Sequence, residues 1–527
     1  MKTGLQMSNM ARLVRWTVGT LVLYAGVYGQ SVAESATVVP PKDKTAAEWQ
    51  ALAHADLDAA HGAVIAGHPG YIDEQNPKFR DWTERGYRDA LVLLPRVDSY
   101  EGLLSVVRYY VAGFRDGHFG YSDDVRSNDY HVKSSGWLLD KVGDDYVVVG
   151  HNPEWQGPLP PLDARLIDCD GRSPQALIVE DVAPYVDQRN LPGMQGGLAQ
   201  MLGYPALTGI ALKTCDFQLA DGKRLTYAVS YRSVSSSSMF KTRARPPAHI
   251  ERRNAYTFQD GVLWIRAQNF SPNAQQVKEL EAMLKEIAAL QDVRTIVFDT
   301  RGNGGGSSVV GDQILQAATG GLSYDTRDLG SLPRTYAQWR VSDIGLRALD
   351  DYVRIMRERY GDNDAHTREV QAQREQMRQA QQGGQPWIEQ DDSRRVTRAY
   401  VAQHNGYLRG HLHRFDGTVA VVADDTCASA CLDFLDAIRL IPTSIQLGQT
   451  TSSDTVYLEA GGKVRMPSGN MLILPLKVWR NRARGDSEPL VPDVSLQVDM
   501  HDDAAVRAAT LAALAKTAVA ANNTVNR

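Results

Sequence analysis

The sequence predicts a multidomain α/β protein: a helical N-terminal region, a β module, and a core of strand–loop–helix units. Three observations predict it. Apolar residues recur at helical spacing before residue 125. Short β-rich runs punctuated by turn signals follow to residue 238. Between 250 and 500, continuous apolar runs each lead through a loop into an amphipathic segment. A length of 527 residues allows roughly three such domains.

Each part has its own pattern. In 45–125, Trp49, Leu52, Ala53, Leu57 and Ala60 fall on one helical face, and Leu91, Leu93 and Leu94 mark a second helix. A third runs from Tyr100 to Phe114 and ends at Arg115-Asp116-Gly117-His118. In 130–238, Tyr146 to Val149 is β-like, and Ala164 to Gly171 closes on the Asp170-Gly171 turn. Cys215 to Leu219, a turn at Asp221-Gly222, and Thr226 to Tyr231 read as a hairpin. Ser235 to Ser238 reads as an exposed loop or linker.

The core splits into halves at 250–322 and 415–500. Val262–Ile265, Thr295–Phe298 and Thr418–Val422 are buried strands, and Ala274–Leu290 is an amphipathic helix. Such units place functional loops beyond the strand ends. A charged insertion, 323–410, separates the halves. It reads as a solvated helical pair or, functionally, as a lid. Residues 501–527 form a C-terminal helix and tail.

Composition excludes several classes. Hydrophobic residues are 43% and charged residues 23%, as in globular chains, so wholesale disorder is excluded. Lys and Arg number 57 against 62 Asp and Glu, a net charge of −5, which leaves no global basic footprint for nucleic acid. Lys2, Arg12 and Arg15 precede the apolar run Trp16–Gly29 and the small-residue pattern Ser31-Val32-Ala33. This predicts a signal peptide over 1–33 and a periplasmic or secreted protein. The run is shorter than the ~20 residues a spanning helix needs, and an uncleaved N-terminal anchor is the other reading. Export permits disulfides among the four cysteines. Cys169 and Cys215 can pair within the β module, while Cys427 and Cys431 read equally as buried thiols or a local disulfide. No Cys or His spacing suits a metal, and no cofactor is expected.

Three constellations carry chemistry. Asp299-Thr300-Arg301-Gly302-Asn303-Gly304-Gly305-Gly306 follows a buried strand, and its glycines can present N–H groups to an anion or oxyanion. No lysine follows, so it is not a phosphate loop. Thr426-Cys427-Ala428-Ser429-Ala430-Cys431 puts Ser429 at a helix N-terminus, as a simple cap or as a nucleophile. Asp116-Gly117-His118 supplies a histidine suited to general base work.

In order, these segments resemble the tail-specific (C-terminal-processing) and tricorn-type serine peptidases. The glycine loop matches their D-x-R-x-N-x-G-G pattern. Asp116-Gly117-His118 looks like the segment of the branch that uses a histidine base, and Pro492-Asp493 looks like the family's terminal motif. The resemblance implies a βα-repeat (ClpP/crotonase-like) catalytic core and makes 130–238 a degenerate PDZ-like module. It implies Ser429 as nucleophile, His118 as base, and an oxyanion hole from Gly304, Gly305 and Ala430. The substrate implied is a peptide or unfolded protein.

Two departures stand out. The tail-specific branch places a lysine base about 25 residues after its serine, where this chain has Asp454. The histidine branch holds its histidine through a preceding serine and a downstream glutamate, and here Gly117 precedes His118. Asp454 is the preferred residue to orient His118, with Glu488 the alternative. The rival readings are an inactive, peptide- or ligand-binding relative and, more remotely, a thiol-redox protein using Cys427 and Cys431.

Overall fold

A computed structural model describes residues 44–122, 131–204, 211–235, 238, 250–320, 336–390, 415, 417–439, 441, 444–482 and 484–525. The expected signal peptide, 1–33, and parts of the 323–410 insertion lie outside the described residues.

The centre of the molecule is a six-stranded sheet. Its strands run side by side as Val494–Ser495, Ser444–Gly448, Thr418–Ala423, Thr295–Asp299, Val262–Ala267 and Asn254–Gln259. All neighbours are parallel except the last pair. The inner strands carry apolar residues on both faces because both faces are covered. Ile296, Phe298, Val419 and Val421 face the helices Ala274–Ala289, Ser308–Thr319 and Ala430–Ile438. Val297, Ala420 and Val422 face the opposite side, where Val506 and Leu514 of the C-terminal helix pack on them. Each fully buried Val, Leu or Ile contributes roughly 1.5–3 kcal/mol relative to exposure. Residues Asp299 and Val422 pair in register, so the glycine loop and the serine turn leave adjacent strands at the same end of the sheet.

The β module is a five-stranded antiparallel sheet with the expected hairpin, Thr214–Gln218 against Arg224–Ala228. Cys169 and Cys215 are directly opposed across two of its strands and form a disulfide. The serine run differs from expectation. Ser235 ends a strand paired with His131–Ser134, and Ser238 is buried, accepting from Asn152 Nδ2 at 2.9 Å. Local polarity predicted exposure, but a tertiary hydrogen bond makes burial affordable.

The N-terminal helices Ala46–Gly67, Pro77–Leu91 and Tyr100–Ala112 share one hydrophobic core with the insertion helices Asp343–Tyr360 and Ala365–Gln382. Ile344, Leu349, Val353, Met356, Val370 and Met377 are buried there. The insertion helices are therefore solvated on one face only. Their apolar residues are sparse among Arg, Glu and Gln, yet they keep helical spacing.

Long-range contacts tie this helical region to the 457–480 segment, whose Tyr457, Leu472 and Leu474 share its hydrophobic core. Strand Gly120–Ser122 pairs antiparallel with Met471–Leu474. Tyr100 Oη donates to Asn470 at 2.7 Å, and Ser468 N–H donates to Asp56 at 2.8 Å. Asp73 accepts from Arg480 at 2.9 Å and from Tyr457 at 3.0 Å, all buried. Removing one member of such a buried pair strands the other charge, at a cost of about 3–5 kcal/mol. Arg480→Ala is expected to lower unfolding stability by about that amount, read by denaturant titration.

Candidate active site

The acidic, basic and amide residues of the glycine loop brace it. Arg301 is buried and grips Asp299 through two hydrogen bonds of 2.8 and 2.7 Å. Its remaining donors reach Met500 O at 2.6 Å and Asp503 at 2.8 Å. Asn303 Nδ2 donates to Ala267 O at 2.7 Å, while Asn303 Oδ1 accepts from Gly305 N–H at 2.9 Å. Asp424 accepts from Gly302 N–H at 2.8 Å and ties the loop to the neighbouring turn. Gly305 has φ +102, and a Cβ there would lie 2.7 Å from Ala428 O and 2.8 Å from Ser429 Cβ. Only glycine lets the loop approach the serine turn this closely.

Ser429 occupies the N-cap position of helix Ala430–Ile438 but does not cap it. Its φ is 55 and its ψ is −124, and its side chain makes no cap hydrogen bond. That region costs a non-glycine residue on the order of 1–3 kcal/mol and resembles the strained turn that exposes a nucleophile. Cys427 and Cys431 form a disulfide across the turn, and both are fully buried. The serine is thus clamped on both sides. A sulfur pair without exposure offers no face for thiol exchange.

The freed Oγ lies 3.0 Å from His118 Nε2, across 311 residues of sequence. His118 is 9% exposed at its side chain. Its nearest carboxylate is Asp116, whose Oδ1 is 3.7 Å from His118 Nδ1 and accepts from His118 N–H at 2.8 Å. Sequence reasoning looked downstream for an acid beside His118 and passed over this one, two residues before the histidine in the same motif. The signal was there: an Asp two residues earlier can fold back on the histidine's own amide in a tight turn.

Asp454 stands further back. Its Oδ1 is gripped by Arg482 at 2.8 Å and by Arg484, and its Oδ2 is buried without a hydrogen-bond partner. It acts on His118 by charge. Glu488 is exposed, accepts from Gly485 N–H at 2.8 Å, and makes no hydrogen bond or ion pair with His118. Lys477 lies buried 3.4 Å from Glu459. Arg189 of the β module fills the space beside Gly117, where an added Cβ would lie 2.5 Å from its Nη1. The same Nη1 donates to Ser453 O at 2.8 Å, and Asp187 holds the guanidinium. An arginine from another part of the chain thus stands where a side chain before the histidine would be.

Of the expected oxyanion donors, Ala430 N–H and Gly304 N–H make no hydrogen bond to any described residue, whereas Gly305 N–H is engaged by Asn303. A cavity of about 480 Å³ opens beyond the same strand ends, lined by Asp425, Gln449, Thr450 and Pro192 among others. Among the described residues, no group of His, Cys, Asp and Glu could hold a metal.

Residues 261–496 match the model of peptidase family S41. This segment belongs to that family. It contains the glycine loop, Ser429, Asp454 and Glu488, and it makes the protein a serine-type peptidase acting on peptides or proteins. His118 lies outside it. The structure of mature CPAF is similar in fold, with TM-score 0.52 and 12% identity, covering 85% of this chain and 93% of that one. Mature CPAF complexed with lactacystin is similar at TM-score 0.51 and 13% identity, over 85% and 94%. No curated protein sequence matches.

Two titrations follow from the charges. Burial pulls the His118 pKa down, but the Asp116 side chain and then the Asp454 charge outweigh it against Arg189, so it lies above 6.5. A folded value above the unfolded one stabilises the fold below pH 6.5, and that contribution is lost as pH rises through the higher value. Asp116→Asn is expected to lower the midpoint of the His118 ring signals in an NMR titration. Asp454 behaves oppositely. Burial raises it, but Arg484 and Arg482, then His118, hold it at about 2 against 3.8. Its contribution, on the order of 2 kcal/mol, is present above about pH 4 and is lost as pH falls towards 2. Asp454→Asn is expected to flatten that acid limb in unfolding curves measured from pH 2 to 7.

Proposed function

We propose that Ser429, His118 and Asp116 form the hydrolytic relay of an exported serine peptidase. The observation that carries this reading is the 3.0 Å contact between His118 Nε2 and Ser429 Oγ on a turn that aims the hydroxyl away from its own helix. His118 Nε2 takes the hydroxyl proton as Ser429 Oγ attacks the peptide carbonyl carbon. The carbonyl oxygen becomes an oxyanion, received by the N–H groups of Ala430 and Gly304, with the positive end of helix Ala430–Ile438 behind it. Gly305 serves as spacing, because its N–H is already held. His118 returns the proton to the departing amine, and water then hydrolyses the acyl-enzyme by the reverse proton path. Asp116 faces the imidazolium as it forms, and Asp454 adds negative charge from further back.

Export rests on the N-terminal charge and apolar pattern, and the two disulfides support it, since such bonds persist in oxidising compartments. No helix among the described residues is long and apolar enough to cross a membrane. The PDZ-like reading of 130–238 gives Arg189 a natural role: it carries contact from that module to the wall behind His118.

A fluorophosphonate probe tests the reading. The wild type is expected to be labelled at Ser429, and Ser429→Ala to remain unlabelled while folded. His118→Ala is expected to slow labelling by about 10²–10⁴-fold, the usual worth of a general base. A folded wild type that resists the probe would overturn the proposal.

A further inference from the structure

Behind Asp116 lies a second histidine. His68 ends the first helix, fully buried, and its ring stacks on Phe79 at 4.3 Å with Tyr457 edge-on at 5.1 Å. Its ring nitrogens have distinct surroundings. Nδ1 accepts the N–H of Gly70 at 3.0 Å, which leaves the ring proton on Nε2. Nε2 lies 4.0 Å from Asp116 Oδ2. Both atoms are buried, and neither has any other hydrogen-bond partner. Asp116 therefore sits between two imidazoles, with Oδ1 towards His118 and Oδ2 towards His68.

We propose that His68 is a positioning residue, whose Nε2–H holds the Asp116 carboxylate that faces His118. This rests on the relay of Ser429, His118 and Asp116 proposed above. Two unpartnered buried polar atoms facing each other are costly unless they meet, and a shift of about 1 Å brings them to hydrogen-bond distance. Such contacts tighten when substrate closes the site. Burial drives the His68 pKa down to about 3, against the charge of Asp116, so the ring stays a neutral donor wherever a neutral His118 can act as base. A neutral donor restrains the carboxylate without cancelling its charge. The phenyl and phenol rings around His68 would accept a phenylalanine equally well as packing, so a merely structural role predicts no penalty for the loss of the N–H.

The test uses the full chain and the labelling rate with a fluorophosphonate. His68→Phe keeps the ring and removes the donor, and it is expected to slow labelling by roughly 10- to 100-fold, the scale for misplacing a group in a reacting geometry. His68→Gln, which offers an amide N–H at similar reach, is expected to recover most of the rate. In an Asp116→Asn background, His68→Phe is expected to add nothing, because its effect passes through the carboxylate. Equal slowing in both backgrounds, or a His68→Phe variant as fast as wild type, overturns the proposal. Wild-type ¹⁵N-histidine spectra decide without any variant. The Nε2–H tautomer of His68, unchanged between about pH 5 and 9, is expected, and an Nδ1–H tautomer overturns the assignment. Labelling of wild type but not of Ser429→Ala tests the relay separately, so failure of one is distinguishable from failure of the other.

Discussion

The 3.0 Å contact between His118 and Ser429 depends on nearly everything else in the molecule. The two residues come from opposite ends of the chain and from different hydrophobic cores. His118 follows the last N-terminal helix, whose core is shared with the insertion helices. Ser429 belongs to the parallel-sheet core. The strand pairing of Gly120–Ser122 with Met471–Leu474 and buried hydrogen bonds from Asp56, Asp73 and Tyr100 fix the N-terminal helices to the 457–480 segment of their own core, which continues the chain that leaves the parallel sheet at Gly448. Side chains far from the site thus set its geometry, as expected when a reacting distance has to hold within a few tenths of an ångström.

The serine side of that contact is held under strain. A positive φ at Ser429 persists because the surroundings over-determine the turn. The disulfide closes it, Asp424 links it to the glycine loop, and Gly305 packs against it with no side chain between. The loop in turn is braced by the buried Arg301–Asp299 pair, which also reaches the start of the C-terminal helix. The charged residues of the glycine-loop motif therefore act as scaffold, and the backbone they hold is what the proposed oxyanion hole draws on.

Charge at the site is arranged in depth. Asp116 lies next to the histidine, Asp454 lies behind it in the grip of two arginines, and Arg189 of the β module moderates both. Because Arg482 and Arg484 already compensate Asp454, that carboxylate stays ionised in a fully buried place without depending on His118. The position that holds a lysine in the tail-specific branch has become part of an ion-pair network.

Much of this was legible in the sequence. Continuous apolar strands, amphipathic helices and turn signals are local patterns, and they determined the α/β class, the hairpin of the β module and the strand–loop–helix units of the core. The glycine loop and Ser429 were also visible, because a sharp turn at a strand end needs particular residues in a short stretch. What tertiary structure decided was distance. Asp116, Asp454 and Glu488 are all carboxylates in reasonable contexts, and only packing separates the one beside His118 from the one held by arginines and the one in solvent. The same holds for Gly304 and Gly305, whose N–H groups differ only in whether Asn303 reaches them, and for His68, which reads as one more histidine at the end of a helix. Local patterns determine which segments form and which way they face, since those depend on neighbours in the chain. Which polar atoms meet depends on how separate cores dock, and short-range periodicity does not encode that.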